Sequence, residues 1–323
     1  MARRDIEIKK SFFSTVSLSD HSCFLQKFSI VSAQWDSFAR YITKVRCFRI
    51  KVAPILVAES RLIHMNIHKG TSVCLVMPVY NEEVCILDVL SKWSAQFDSM
   101  GLSYTMVVVN DGSTDGSLAA LEVFQKQNPR LYILNKENEG HGKAIMAGYH
   151  QALIFHPQWI FQTDSDDQFD PTDFEKLWEN RKTSPFLVGI RAQRQDPFKR
   201  KVISRLLKGI LHYLFEVSIK DANTPFRLMR SDFLRNSLSV LPPDLFAPNV
   251  FLSVISSIRL KSFPEYPVKH QKRLSGKPSL ISWGLIKACA RSLYQVLSFK
   301  LSLYERINSL DNIEKSTNLD NVA

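Results

Sequence analysis

The side chains best placed to do chemistry fall in three polar clusters, each directly after a short apolar run: Pro78-Val-Tyr-Asn-Glu-Glu83, Asn110-Asp-Gly-Ser-Thr-Asp115 and Asp164-Ser-Asp-Asp-Gln168. In the third, Asp164 and Asp166 stand one residue apart, so both can direct oxygens at one hard cation. Gln168 adds a neutral amide oxygen two residues on. An all-oxygen set of this kind suits Mg2+ or Mn2+. A divalent ion held there can bridge the two phosphates of a nucleotide diphosphate and neutralise the charge that develops as a sugar departs. Asp170 has a separate explanation: just ahead of Pro171 it is a helix N-cap.

These clusters have to be positioned by the elements before them. Val73 to Met77, Thr105 to Val109, Leu131 to Leu134 and Trp159 to Gln162 are short, apolar and rich in β-branched or aromatic residues, which predicts buried strands. Between them, Val84 to Phe97, Ser117 to Gln127 and Gly142 to Ile154 have helical spacing. Strand and helix in alternation predict an α/β domain with a mostly parallel sheet covered by helices on both faces. All three clusters then lie along the carboxyl edge of that sheet, where such folds bind ligands.

The formal charge of +11 is unevenly spread. Residues 1–70 carry +7, residues 71–190 carry −8, residues 191–306 carry +14 and the tail carries −2. An acidic half able to hold a cation thus precedes a basic half suited to phosphates or anionic lipid. The basic half lacks aromatic stacking motifs and known nucleic-acid modules, so nucleic acid is not the expected partner. The five cysteines form no CxxC pair and are odd in number, which fits a reducing cytosol. No window reaches the ~18 uncharged apolar residues of a membrane span, and the best stretch, Ile281 to Phe299, contains Lys287 and Arg291. The first residues, MARRDIEIKK, carry both signs of charge and no apolar core follows them, so no signal peptide is expected. Residues 1–70 lack periodicity and are expected to be an extension, with the ordered domain starting as early as Met65.

A series of motifs in fixed order extends these readings: VMPVYNEE (Val76 to Glu83), VVNDGSTD (Val108 to Asp115), NEGHGKAIMAG (Asn138 to Gly148), TDSDDQFDP (Thr163 to Pro171), VGIR ending at Arg191, DANTPFRLM from Asp221, and PVKHQKRLSG containing Arg273. From about Val73 to Ser279 the chain resembles the inverting family 2 glycosyltransferases of GT-A fold, especially those that transfer sugars to polyprenyl or dolichyl phosphate. The resemblance implies a UDP- or GDP-sugar donor in a pocket formed by Pro78, Tyr80, Glu82, Asp111, Lys143 and Ser165. It places the metal on Asp164, Asp166 and Gln168, and catalysis on Asp164, Asp166 and Arg191. Arg200, Ser204 and Arg273 match positions that hold the acceptor phosphate, a task for which guanidinium groups are suited. Thr224-Pro225 and Asn249 depart from the family pattern on the acceptor side. Gly140 and Gly142 are not a dinucleotide-binding fingerprint, because the third glycine is misplaced and the loop follows the third strand.

A phosphate acceptor is already anionic at neutral pH and needs no general base, whereas a sugar hydroxyl does. Two alternatives stay open: transfer to a hydroxyl of a lipid-linked glycan or lipopolysaccharide, and an inactive, basic, membrane-binding protein of transferase fold. The expected layout is an extension over 1–70, a catalytic domain over 71–280, an amphipathic helix over 281–306 and a polar tail over 307–323. From Lys201 to Val217, Lys201, Arg205, Lys208 and His212 form a stripe flanked by apolar residues. From Ser282 to Tyr304 the polar stripe is Lys287, Arg291, Gln295, Ser298 and Ser302, opposite Trp283, Leu285, Ile286, Leu293, Leu297 and Phe299. Both patterns suit helices lying at a membrane surface, or packed onto the domain or an integral-membrane partner, and the protein is expected at the cytoplasmic face.

Overall fold

The computed structural model describes residues 71–191, 198–271 and 291–302, with 198–203 as backbone only. The extension over 1–70, Arg273, the first part of the second amphipathic stretch and the tail lie outside the described residues.

Seven strands form one sheet in the order β3-β2-β1-β4-β6-β5-β7. They are β1 (Val73–Val79), β2 (Tyr104–Asp111), β3 (Leu131–Lys136), β4 (Trp159–Gln162), β5 (Phe186–Arg191), β6 (Arg227–Arg230) and β7 (Glu265–Val268). Only β6 runs against its neighbours β4 and β5; the other pairings are parallel. β1 and β4 are buried along their whole lengths, as central strands covered on both faces must be. β3, at the edge, is only half-buried.

One face of the sheet is covered by α1 (Ile86–Ser99) and the short α4 (Phe174–Glu179). Ile86, Val89, Leu90, Trp93 and Phe97 recur at helical spacing and are buried. Trp93, Phe161, Phe174 and Phe226 pack there with ring centroids 4.8 to 6.4 Å apart. α3 (His141–Ile154) packs against β1 and β2. It approaches closely because Gly148 faces Val76 and Val109, where an added Cβ would come within 2.5 Å of a Val76 methyl. α2 (Ser117–Gln127), α5 (Phe198–Phe215), α6 (Ser231–Val240) and α7 (Pro248–Leu260) complete the described helices named here. Asp170 caps the 3-10 turn Pro171–Asp173 as expected, accepting the Thr172 amide at 3.0 Å.

Residues 291–302 are helical and pack onto the domain. Val296 and Phe299 are buried, and Phe299 meets Phe251 and Phe215 at centroid distances of 5.2 and 6.2 Å. Gln295, from the polar stripe, grips the chain: its side-chain amide donates to Asp244 O at 2.6 Å and accepts from Phe246 N at 2.9 Å. Leu293 and Leu297 are exposed. Gln295 thereby satisfies two backbone groups of the segment before α7.

Candidate active site

From β1 the chain continues to β2 and β3 on one side and to β4 on the other, so the carboxyl ends of β1 and β4 flank a topological switch point. The loops after β1 and β2 hold each other. Asn81, at φ 56, donates its amide to Ser113 Oγ (3.0 Å) and accepts the Thr114 amide on Oδ1 (2.8 Å). Glu82 N donates to Ser117 Oγ at 2.8 Å, Glu83 N to Asp115 Oδ2 at 3.2 Å, and Gly116 N to Glu83 Oε2 at 2.6 Å. Side chains of each loop thereby satisfy backbone N–H groups of the other. Burial works to raise the Asp115 pKa, but hydrogen bonds from Ser117 and the Glu83 amide outweigh it and hold the carboxyl below its ordinary range.

Pro78 is buried at the end of β1, while Tyr80 is exposed. Glu82 and Ser165 are buried and come together around Cys85, whose thiol lies 3.4 Å from Glu82 Oε2 and 3.5 Å from Ser165 O. Asp111, also buried, anchors the loop before α3: Oδ1 accepts from Lys136 Nζ (2.7 Å) and Glu139 N (3.1 Å), and Oδ2 from Gly140 N (2.9 Å). Gly112 lets this loop close in, because a Cβ there would lie 2.6 Å from Asn138 N. Burial disfavours the Lys136 ammonium, yet Asp111 and Glu139 outweigh it and raise its pKa. Lys143 is held between Glu139 (3.1 Å) and Asp244 (3.0 Å).

Beyond β4, Asp164 Oδ1 is buried without a hydrogen-bond partner. His141 Nε2 lies 3.7 Å away, too far to satisfy it. Asp166 Oδ1 is at 3.4 Å from Gln168 N, and Gln168 Nε2 donates to Gln271 O at 2.9 Å, which leaves the Gln168 amide oxygen as its ligating atom. Among the described residues no group of three or more His, Cys, Asp or Glu side chains could hold a metal. Two carboxylates with an amide suit an ion whose remaining ligands are phosphate oxygens and water, and the orphaned Asp164 oxygen is the atom such an ion would satisfy.

Arg191 ends β5 on the same edge and forms a two-pronged pair with Asp221: Nε to Oδ2 at 2.8 Å and Nη2 to Oδ1 at 3.0 Å. Both groups are largely buried. Ser204 is half-buried in α5, and Arg200 lies in the same helix within its backbone-only part. Behind Asp164 sits a buried polar layer that the motifs do not single out. Tyr149 donates its hydroxyl to Gln162 Oε1, with Asn249 Oδ1 3.5 Å away, and the wholly buried Arg227 donates to Asn249 O. Burial raises the Tyr149 pKa. A polar residue ending the apolar β4 at Gln162 and an arginine opening β6 are the signals that point to this layer.

The fold and this loop-bearing edge define a GT-A type domain. The chain belongs to glycosyl transferase family 2, whose model matches residues 74–238. It is 32% identical over 218 residues to the undecaprenyl-phosphate 4-deoxy-4-formamido-L-arabinose transferase of Edwardsiella ictaluri (strain 93-146), covering 67% of this chain; it spans 64% of that relative's length. Among solved structures it is similar to glucosyl-3-phosphoglycerate synthase from Mycobacterium tuberculosis. The complex with UDP gives a TM-score of 0.56 at 16% identity, covering 71% of this chain and 80% of that one. The complex with Mn2+, UDP-glucose and phosphoglyceric acid gives 0.54 at 15% identity, covering 71% and 80%.

Proposed function

We propose that this protein transfers a sugar, with inversion, from a nucleotide-diphosphate sugar to a polyprenyl phosphate in a reaction that requires Mg2+ or Mn2+. The observation that carries the reading is the convergence, on one sheet edge, of two interlocked loops and a turn with a buried carboxylate oxygen that has no hydrogen-bond partner in the protein. Membership of family 2 and the likeness to an undecaprenyl-phosphate transferase support it.

On this reading Pro78, Tyr80, Glu82 and Ser165 line the nucleoside pocket. Asp111 has about four lone-pair sites and three bound donors, so one acceptor position is left for base or ribose. Lys143 supplies positive charge beside the donor, and Asp164, Asp166 and Gln168 hold the cation. When bound, that ion supplies Lewis-acid neutralisation of the departing diphosphate. Arg191, oriented by Asp221, faces the phosphates, with Arg200, Ser204 and Arg273 gripping the acceptor. The acceptor phosphate attacks as an anion, so no protein base is required.

The protein works at the cytoplasmic face of a membrane, where its acceptor resides. Among the described residues no helix is long and apolar enough to cross a bilayer. The deciding experiment incubates purified protein with a panel of UDP- and GDP-sugars, Mn2+ or Mg2+, and polyprenyl phosphate, followed by mass spectrometry of the lipid. A glycosylated lipid phosphate is expected. Turnover confined to lipid-linked glycan acceptors would instead establish a hydroxyl acceptor.

A further inference from the structure

Arg227 opens β6 with its side chain completely buried, in register with Gln162 at the end of β4 and Val188 in β5. A guanidinium removed from water must have its N–H groups answered. Here the answers are main-chain carbonyls. Nε donates to Thr224 O at 3.1 Å; Nη2 donates to Thr224 O at 2.6 Å and Ala222 O at 3.3 Å; Nη1 donates to Asn249 O at 3.0 Å. The Phe186 ring lies 5.7 Å from the guanidinium carbon. Burial pulls the pKa down to about 10, while Tyr149, Asp221 and Asp164 oppose the fall across space. The group therefore keeps its charge at neutral pH.

Stability alone does not account for such a group, because a well-packed apolar side chain would serve as well or better. What only the planar fork supplies is simultaneous hold on two segments: the turn after α5 that carries Asp221, Ala222 and Thr224, and the first turn of α7. The turn is the one that presents Asp221 to Arg191 through two hydrogen bonds. It is tied to β5 as well, through Thr224 Oγ1 to Gly189 O at 2.8 Å. Ser253 completes the cage from α7, with Oγ 2.9 Å from both Ala222 O and Asn249 O, two of the carbonyls that Arg227 binds.

We propose that Arg227 is a positioning residue for the transfer reaction: by gripping the Asp221–Thr224 turn and the start of α7 from within, it fixes Asp221 and, through Asp221, the guanidinium of Arg191 at the carboxyl edge of β5. Its effect on transfer rests on the function proposed above, whereas the chain of contacts from Arg227 to Arg191 does not. A lysine keeps the charge but places its donors on one point, so it cannot span carbonyls on two segments.

The test uses Arg227→Lys, the milder Ser253→Ala, Arg191→Lys, and the double variant Arg227→Lys with Arg191→Lys, each in the full chain. Three quantities are read: hydrogen exchange of the Arg191 Nε–H by nitrogen-15 NMR, affinity for UDP and GDP with Mn2+, and kcat/KM for polyprenyl phosphate. In Arg227→Lys, Arg191 Nε–H exchange should rise about tenfold or more and kcat/KM should fall by a similar factor, with nucleotide affinity changed less than about threefold. Ser253→Ala should move the same quantities in the same direction by about two- to fivefold. The double variant should lose no more activity than the worse single one, since both act through one guanidinium. Unchanged Arg191 exchange in Arg227→Lys and Ser253→Ala, or losses that multiply in the double variant, would overturn the proposal. If Arg227→Lys does not fold, unchanged Arg191 exchange in Ser253→Ala overturns it and faster exchange sustains it. A parent protein that glycosylates no lipid phosphate removes the functional reading, and Arg191 exchange still decides the positioning one.

Discussion

Asp164 keeps a buried oxygen unanswered, a condition that costs about 1 to 3 kcal/mol for a neutral acceptor and more for a charged one. A cation repays that cost only when it is present. Asp164→Asn should therefore leave the thermal midpoint unchanged or raised without metal, while removing the metal-dependent gain in nucleotide affinity and lowering turnover roughly 100-fold or more. Calorimetric titration of UDP with and without Mn2+ checks this, and a variant that still couples Mn2+ to nucleotide as the parent does would remove Asp164 from the metal site. Asp164 stands out in the sequence as a candidate ligand because a carboxylate pair directly after a buried strand is a local pattern. The Asp221 partner of Arg191 was not, since the two lie 30 residues apart in separate motifs and nothing local links them. Arg227 was hidden for a related reason: its ligands are backbone carbonyls, which have no residue type to read.

Between the elements, the loops after β1 and β2, which carry the proposed nucleoside pocket, interlock, and their acidic link makes them sensitive to pH. The Asp115 pKa is depressed in the folded protein, so its contribution to stability is present above the unfolded value and is lost as pH falls through the folded one, below about 4. Urea midpoints between pH 3 and 7 should fall more steeply on the acid side in the parent than in Asp115→Asn; parallel curves would mean the loop lock does not depend on this charge. A second prediction concerns α3. A Cβ on Gly142 would stand 2.3 Å from Leu245 O and 2.4 Å from Phe246 O, both backbone atoms. Gly142→Ala should thus cost about 1 to 3 kcal/mol by overpacking, read as a lower urea midpoint at constant slope. Gly101→Ala, with open space around it but φ +62, should cost about 1 to 2 kcal/mol from backbone strain alone. The first four strands and three helices were legible from periodicity, to within a few residues at their ends. The second half of the sheet was not: β6 has four residues bounded by arginines, and β7 contains a proline, so neither shows a strand's alternation.

At the scale of the whole molecule, the basic half of the chain also carries a group of exposed apolar residues on two helices that touch. The helical residues 291–302 bury Val296 and Phe299 and leave Leu293, Tyr294, Leu297 and Leu301 exposed; α5, in contact through Phe215, leaves Leu206 and Tyr213 exposed. Residues 191–306 carry a charge of +14, with Arg205, Lys208 and Arg291 exposed on these helices. A lipid-phosphate acceptor requires the site to reach a bilayer, and apolar side chains among basic ones bind the headgroup region of anionic membranes. The protein should co-sediment with vesicles containing anionic lipid, and less with neutral ones or at high salt, where the electrostatic part is screened. Leu297→Glu combined with Leu301→Glu should weaken binding tenfold or more, because inserting either leucine is worth about 1.5 to 3 kcal/mol and the added charges are repelled. Both side chains are exposed, at 45% and 76%, so folding and nucleotide affinity should be preserved and serve as the internal control. Vesicle binding equal to the parent's would place the membrane contact on another surface. Lost transfer to lipid phosphate with intact vesicle binding would assign these leucines to the acceptor chain itself and not to the bilayer.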